Sequence, residues 1–178
     1  MALKATIYKA TVNISDLDNH YYDELNLTIA QHPSESDKRM MVRLVAYILN
    51  VQERLEFTKG LSEESEPEIW AKNYTDDIEL WIDLGRPDET RLRKASHKSQ
   101  KVLVYSYNEN ASAIWWKALG NKVRDYKNLE IYALNDEQVA GLESMIERTM
   151  QLQATIEDGQ LWLSNNETSQ LIEVERLQ

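Results

Sequence analysis

Apolar and polar residues alternate with a period of two over residues 77–85, the pattern of a β-strand. One set of positions is entirely apolar, whereas the other set carries carboxylates and a tryptophan. Residues 66–72 alternate in the same way, and residues 73–76 supply turn-forming side chains between the two segments. The pattern therefore predicts an antiparallel hairpin whose two acidic faces coincide.

Two registers of this hairpin are open. Pairing Lys72 with Asp77 sets Glu66 opposite Asp83, whereas a slip of two residues sets Glu68 opposite Asp83. Either register leaves two carboxylates facing each other, and such a pair requires a cation, a basic side chain or open water. Converging carboxylates are typical of sites for Mg²⁺ or Mn²⁺. The alternative is that the acids belong to the solvated face of an antiparallel sheet.

The remaining elements follow from the same kind of pattern. Hairpins are predicted over residues 5–30 and over residues 152–163, the second around an Asp158-Gly159 turn. Short strands are predicted at 55–58 and 102–107. Helices are predicted over residues 34–52, with Ser34 as N-cap, and over residues 87–98, with Pro87 in the first position. Two further helices are predicted over residues 111–118, with Gly120 as the stop signal, and over residues 135–148.

Length and composition narrow the class of protein. A chain of 178 residues without repeats or linkers predicts a single domain over residues 1–178. The absence of cysteine excludes a disulfide framework, a thiolate zinc site and a cysteine nucleophile. No apolar signal segment opens the sequence, and Arg43 interrupts the longest apolar run. We therefore expect a cytoplasmic protein that makes no membrane contact.

Charge is distributed unevenly along the chain. The net charge of −10 argues against generic nucleic-acid binding, which usually depends on a basic surface. Residues 86–127 nevertheless hold ten Lys and Arg against four Asp and Glu, a local charge of +6. A basic segment directly after the acidic hairpin would allow phosphate to approach from one side. The alternative is that these residues form ordinary solvated helix faces.

Five segments, taken together and in order, resemble one protein family. They are MALKATIYKATVNISDLD, AQHPSESDKRMMVRL, EPEIWAKN, IELWIDLGRPDE and RTMQLQATIEDGQLWLS, and they are similar to the bacterial YaeQ family over nearly the whole chain. The resemblance implies a divergent member of the PD-(D/E)XK nuclease superfamily. The implied fold is a single compact α/β domain with a mixed sheet. It has a restriction-endonuclease-like α-β-β-β-α-β core, to which the N- and C-terminal hairpins are additions.

The resemblance also implies a site. Glu68 stands at the first acidic position of the superfamily motif and Asp83 at the second, where the two would bind Mg²⁺ or Mn²⁺. Gly85 stands where the motif has its lysine. Lys94, on the predicted second helix, is the candidate for a lysine that has migrated to that helix.

Further residues complete this implied site. Glu35, near the start of the first predicted helix, would be a third metal ligand, although an ion pair with Arg39 is the alternative that the spacing favours. Arg91 and Arg93 would bind flanking phosphates.

The expected function is metal-dependent phosphodiester hydrolysis of DNA or RNA. Glu68 and Asp83 would hold the metal ion, and Lys94 would orient the attacking water. The alternative is a catalytically inactive module on the same scaffold that binds nucleic acid or a protein, an interpretation that Gly85 and the acidic remainder of the chain favour. Trp115 and Trp116 could stack on bases, although such residues more often lie in a core or an interface.

Overall fold

The computed structural model describes residues 4–178, in which none of the helices is long and apolar enough to cross a membrane. The elements follow one another along the chain in this order: β1 (Thr6–Asp16), β2 (Tyr21–Gln31), α1 (Asp37–Leu49), β3 (Leu55–Phe57), β4 (Ile69–Lys72), β5 (Ile78–Leu84), α2 (Glu89–Lys98), β6 (Ser99–Ser106), α3 (Glu109–Val123), β7 (Leu129–Leu134), α4 (Asp136–Gly141), β8 (Thr149–Glu157), β9 (Gln160–Ser164), β10 (Ser169–Ile172) and β11 (Val174–Arg176).

The fold is of the mixed α/β class, with two mixed sheets, and the chain divides into two compact units. The first unit contains the described residues up to Leu49 together with Glu137–Val174. The second contains Asn50–Asp136 and Glu175–Gln178. The expectation of a single domain over residues 1–178 stays a prediction.

The first unit contains a five-stranded sheet in the order β10-β9-β8-β1-β2. β1 pairs with β2 in antiparallel fashion along its full length, from Thr6 with Gln31 to Asp16 with Tyr21, which confirms the N-terminal hairpin. β8 lies parallel to β1 and antiparallel to β9. The N- and C-terminal hairpins are therefore parts of one sheet, a long-range pairing that local sequence patterns do not report.

The turn between β8 and β9 has the conformation that the Asp-Gly pair predicts. Asp158 and Gly159 have φ values of 53° and 74°, and both positive values are characteristic of a type I′ hairpin turn. The backbone N–H groups of both residues also donate to the carboxylate of Asp18, each at 2.8 Å. The turn is thereby tied to the loop that follows β1.

The second unit contains a six-stranded sheet in the order β11-β7-β6-β5-β4-β3. β3, β4 and β5 pair antiparallel, whereas β5, β6 and β7 run parallel and are joined by α2 and α3. Parallel neighbours require such crossovers, and crossovers of the usual right-handed kind bring both helices to the same face. Between the helices and that face lies a cluster of buried residues, which contains Trp81, Leu92, Ala95, Val102, Val104, Leu119, Val123, Leu129 and Ile131.

Two helix starts differ from the sequence prediction. α1 begins at Asp37, and the hydroxyl of Ser36, not of Ser34, accepts the N–H of Arg39 at 3.1 Å. The Ser34 hydroxyl instead lies 2.7 Å from the imidazole of His32. α2 begins after Pro87, with Asp88 as its N-cap.

Two helix lengths were also predicted wrongly. The helix expected over 135–148 ends at Gly141 and is followed by a 3₁₀ turn over Leu142–Met145, because β8 begins at Thr149 and alternates buried and exposed residues beside β1. α3 continues past Gly120 to Val123. A Cβ atom at Gly120 would lie 3.3 Å from the indole of Trp116, so the glycine allows close packing within the helix where it had been expected to end it.

Replacing Gly159 by alanine tests the turn. We expect Gly159→Ala to lower the free energy of unfolding by about 1 kcal/mol, because a side chain disfavours positive φ. A Cβ atom there would have no neighbour within 4 Å, so the loss comes from the backbone alone. Urea denaturation measures it. Asp158→Asn is the control, since asparagine also tolerates this conformation; an unchanged Gly159→Ala variant would contradict the assignment.

Candidate functional site

The central hairpin adopts one of the two registers left open by the sequence. β4 and β5 pair Ile69 with Ile82 and Trp70 with Trp81. This is the register slipped by two residues. The pairing ends at Ile69, and the N–H of Glu68, immediately before β4, donates to the carbonyl oxygen of Ile82 at 3.0 Å. The backbone of Glu68 is therefore anchored to the residue that precedes Asp83, whereas Glu66 lies two residues further from β4.

Glu68 and Asp83 are both buried. Asp83 is 2% exposed and Glu68 is 7% exposed, so the interpretation of these two acids as part of a solvated sheet face is wrong. Trp81 lies two residues before Asp83 on the same side of β5, and its indole packs beneath α2 and α3. Because the helices cover this side of the sheet, Asp83 requires a partner within the protein.

Arg91 is that partner. Its Nε donates to Oδ2 of Asp83 at 2.8 Å and its Nη2 donates to Oδ1 at 2.9 Å, a bidentate ion pair. The N-cap fixes the position of this guanidinium, since the Asp88 side chain accepts the backbone N–H of Arg91 at 2.8 Å. The hydrogen bond to Asp83 raises the pKa of Arg91 while burial opposes this effect, and the charges of Asp83, Glu68 and Asp88 raise the pKa further.

The same guanidinium fixes the loop that precedes the hairpin. Nη1 of Arg91 donates to the carbonyl oxygen of Glu64 at 2.8 Å, and Nη2 donates to that of Glu66 at 3.0 Å. Arg91 therefore links β5, α2 and the acidic loop over residues 62–66.

Glu68 is enclosed from another side by Gly60. A Cβ atom at Gly60 would lie 2.6 Å from Oε2 of Glu68, and the backbone there has a φ of +52°. Only a glycine accommodates both the close carboxylate and this conformation without strain. The loop around residue 60 is therefore shaped to the side chain of Glu68.

These contacts do not match the needs of a divalent cation. Both oxygens of Asp83 accept hydrogen bonds from Arg91, so a metal ion at Asp83 would have to share this carboxylate with a fixed guanidinium. Mg²⁺ takes a near-octahedral shell of oxygen ligands and is repelled by a fixed positive charge. Across residues 4–178, no three His, Cys, Asp or Glu side chains form a group that could hold a metal ion.

Glu35 lies in the first unit and is held by two arginines. Its Oε2 accepts from Nη1 of Arg39 at 2.6 Å, and its Oε1 accepts from Nη2 of Arg43 at 2.7 Å. Glu35 and Arg43 are 6% and 5% exposed. The ion pair with Arg39, the alternative that the spacing favoured, is confirmed, although Glu35 precedes α1 and is not in its first turn. Its assignment as a metal ligand stays a prediction.

Lys94 lies on the wall of a cavity of 540 Å³ beside α2. The lining includes Arg91, Trp81, Thr90 and Lys98. Arg91, not Lys94, makes the contact with Asp83, because the first turn of α2 is the one that lies over the end of β5. The catalytic role expected for Lys94 stays a prediction.

The expectation from the sequence is that Arg91 binds a phosphate group of the substrate; its contact with Asp83 is not expected. The sequence does contain an indication of the contact between Arg91 and Asp83. Asp83 ends a strand, and Arg91 sits one turn after an Asp88 N-cap, so the short connection returns the arginine to the strand end. What the pattern could not provide is the burial of Asp83, which makes that contact necessary.

The exposed cations of α2 and α3 form what we call the α2–α3 cationic surface. Its members are Arg93, Lys94, Lys98, Lys117 and Lys122, together with Arg124 at the C-cap of α3, all of them exposed. Arg93 has only a distant, half-exposed pairing with Glu89, at 3.9 Å. Trp116 borders a groove of 440 Å³ together with Lys117 and Arg124. The indole of Trp115, in contrast, donates to the carbonyl oxygen of Pro87 at 2.8 Å and so joins α3 to the start of α2.

Arg91→Met tests the dependence of Asp83 on its partner. We expect a loss of about 3 kcal/mol in the free energy of unfolding, because a buried carboxylate is left without its cation. Adding Asp83→Asn should give a double variant whose loss is smaller than the sum of the two single losses. Urea denaturation gives all three values. Arg93→Met is the matched control, expected within about 0.5 kcal/mol of the unmodified protein. Additive losses would contradict the coupling.

Glu35→Gln tests the structural role of Glu35. We expect about 3 kcal/mol lower stability in thermal or urea unfolding, since buried Arg43 loses its ion pair. Glu24→Gln, at an exposed position of β2, is the control and should change little. A Glu35→Gln variant as stable as the control would contradict this role.

Comparison with known proteins gives a consistent result. The family model described as YaeQ protein matches residues 1–174. The chain is 48% identical to the uncharacterized protein YaeQ of Escherichia coli strain K12 over 169 residues, covering 95% of this chain and 93% of that protein. It is 50% identical to the uncharacterized protein YaeQ of Salmonella typhi over 165 residues, covering 93% and 91%.

Solved structures agree. The crystal structure of YaeQ protein from Xanthomonas axonopodis pv. citri superposes with a TM-score of 0.95 at 41% identity over 98% of each chain. That from Pseudomonas syringae gives a TM-score of 0.93 at 30% identity, covering 98% of this chain and 96% of that one. The matched family model, the identity over almost the full length and the shared structure together establish that the chain belongs to the YaeQ protein family.

Proposed function

We propose that this protein is a module that binds nucleic acid through the α2–α3 cationic surface and does not use a metal ion to cleave it. The observation that carries the proposal is the bidentate contact of Arg91 with Asp83. A permanently charged guanidinium occupies the carboxylate on which metal-dependent hydrolysis would depend.

Element order supports descent from a PD-(D/E)XK nuclease core. The chain runs α1, β3, β4, β5, α2, β6, which is the helix, three strands, helix, strand order of that core. Glu68 and Asp83 stand at the corresponding hairpin positions. Gly85, where the motif has lysine, has a φ of +86°, a conformation that a lysine would adopt only with strain. In this proposal the scaffold is retained and the hydrolytic centre has been replaced by an internal ion pair.

The charge distribution supports nucleic acid as the partner. In a protein with a net charge of −10, the α2–α3 cationic surface places five exposed cations on two helices that cover the same sheet face, and a sixth, Arg124, at the end of α3. Phosphate neutralisation by such a surface supplies sequence-independent affinity. The half-buried Trp116 beside Lys117 and Arg124 offers an aromatic surface next to the cations, as single-strand binders use.

Metal-dependent hydrolysis by Glu68 and Asp83 is the second candidate. The register of β4 and β5, which brings Glu68 beside the residue that precedes Asp83, favours it, as does the position of Lys94 on the adjoining cavity wall. It requires Arg91 to leave Asp83 when substrate and metal bind.

Fluorescence anisotropy with 3′-labelled single-stranded DNA, RNA and duplex DNA tests the proposal in buffer containing EDTA. We expect binding that weakens steeply with salt, because cations on the protein displace counterions from the strand. Lys94→Glu and Lys122→Glu should each weaken binding by about tenfold and reduce the salt slope by about one or more. Lys4→Glu, at an exposed position of the first unit, changes the net charge equally and should have little effect.

The contradicting outcomes are distinct. If Lys4→Glu and Lys122→Glu weakened nucleic-acid binding equally, the assignment of binding to the α2–α3 cationic surface would be contradicted. Cleavage of the same strands with Mn²⁺, abolished by Asp83→Asn, would establish the second candidate. An absence of binding at low salt would favour a protein partner.

A further inference from the structure

The cavity beside α2 has the size of a small-molecule site. Its volume is 540 Å³, within the range of about 300 to 1,000 Å³ that is usual for ligand pockets. Its wall combines an indole, hydroxyl groups, carboxylates and two lysines, from Trp81, Ser65, Thr90, Glu64, Asp88, Lys94 and Lys98 together with Arg91. Neither the Asp83–Arg91 ion pair nor general strand binding requires such a cavity.

Trp81 contributes a donor that has no acceptor. The residue is 3% exposed, and its Nε1 is one of two buried side-chain atoms that lack a hydrogen-bond partner in the part of the chain described, Ser99 Oγ being the other. Buried polar groups are nearly always satisfied, and Trp81 is one of the residues that line the cavity, so its unsatisfied N–H favours an acceptor supplied from outside the protein. A ligand atom in the cavity would meet this requirement.

Lys94 and Lys98 lie one helical turn apart and line the same cavity. Like charges at this spacing repel each other, and an anion between them would relieve the repulsion. The cavity lining also contains negatively charged residues, Glu64 and Asp88. A bare anion would be repelled by these carboxylates, whereas a ligand with an anionic end and a neutral end bearing donors would satisfy both parts of the wall.

We propose that this cavity binds one nucleoside monophosphate unit, either free or as the 5′-terminal nucleotide of a strand. The phosphate lies against Lys94 and Lys98. The base or ribose offers an acceptor to the indole N–H of Trp81 and donors to the carboxylates. For the strand-borne ligand, this assignment rests on the proposed function; for the free nucleotide it does not.

The test uses ¹⁵N-labelled protein and the four ribonucleoside 5′-monophosphates at millimolar concentration. Trp81→Phe removes the indole resonance of Trp81 and thereby assigns it. We expect the monophosphates to shift this resonance, with inorganic phosphate and the parent nucleosides producing little shift. Lys94→Gln and Lys98→Gln, at exposed positions, should each weaken binding by about tenfold. Lys101→Gln, on β6 beside Glu130, is the matched control and should bind as the unmodified protein does.

Matched oligonucleotides with and without a 5′-phosphate complete the experiment. Tighter binding of the phosphorylated strand, lost in Lys98→Gln and retained in Lys101→Gln, supports the strand-borne ligand. Strands that bind equally with or without the phosphate, while no monophosphate moves the Trp81 resonance, would overturn the assignment and leave the proposed function standing. Monophosphates that bind through Lys94 and Lys98 while no strand binds would support the cavity assignment and contradict the proposed function. If inorganic phosphate shifted the Trp81 resonance as much as the monophosphates do, the proposed contacts of the base or ribose would be contradicted.

Discussion

The burial of Asp83 is the constraint on which the second unit depends. A carboxylate that is 2% exposed cannot remain charged without a cation, and Arg91 supplies one through two hydrogen bonds. The remaining donors of the same guanidinium hold the carbonyl oxygens of Glu64 and Glu66. One ion pair thus sets the position of α2 on β5 and of the acidic loop over the hairpin, and Gly60 lets that loop close against Glu68.

The functional interpretation follows from which cation occupies this place. A metal ion would bring Lewis acidity and bound water, whereas a guanidinium brings only fixed positive charge and directional hydrogen bonds. With Arg91 occupied internally, the exposed cations further along α2 and at α3 are among the groups available to an anionic ligand. This division of roles is the basis for proposing recognition without hydrolysis.

The first unit contains a second buried carboxylate, and it is satisfied in the same way. Glu35 lies between Arg39 and Arg43 at hydrogen-bonding distance from both. Glu35 and Asp83, two of the acids that the implied motif assigns to metal binding, are thus both held by arginines. Glu68 lies close to Gly60, and its charge raises the pKa of Arg91.

Local patterns in the sequence determined the individual hairpins, the Asp158-Gly159 turn, the approximate positions of the first three helices and the pair of registers for the central hairpin. These features depend on neighbours within a few residues, so periodicity and turn chemistry report them. The spacing of Glu35 and Arg39 likewise indicated their ion pair. Tertiary structure decided the rest. The parallel pairing of β1 with β8 joins residues far apart in the chain and sets the start of β8 at Thr149, and the helix predicted over 135–148 ends earlier, at Gly141. The burial of Asp83 beneath two helices, and hence its capture by Arg91, arises only when those helices cover the sheet, a long-range packing event that no local pattern encodes.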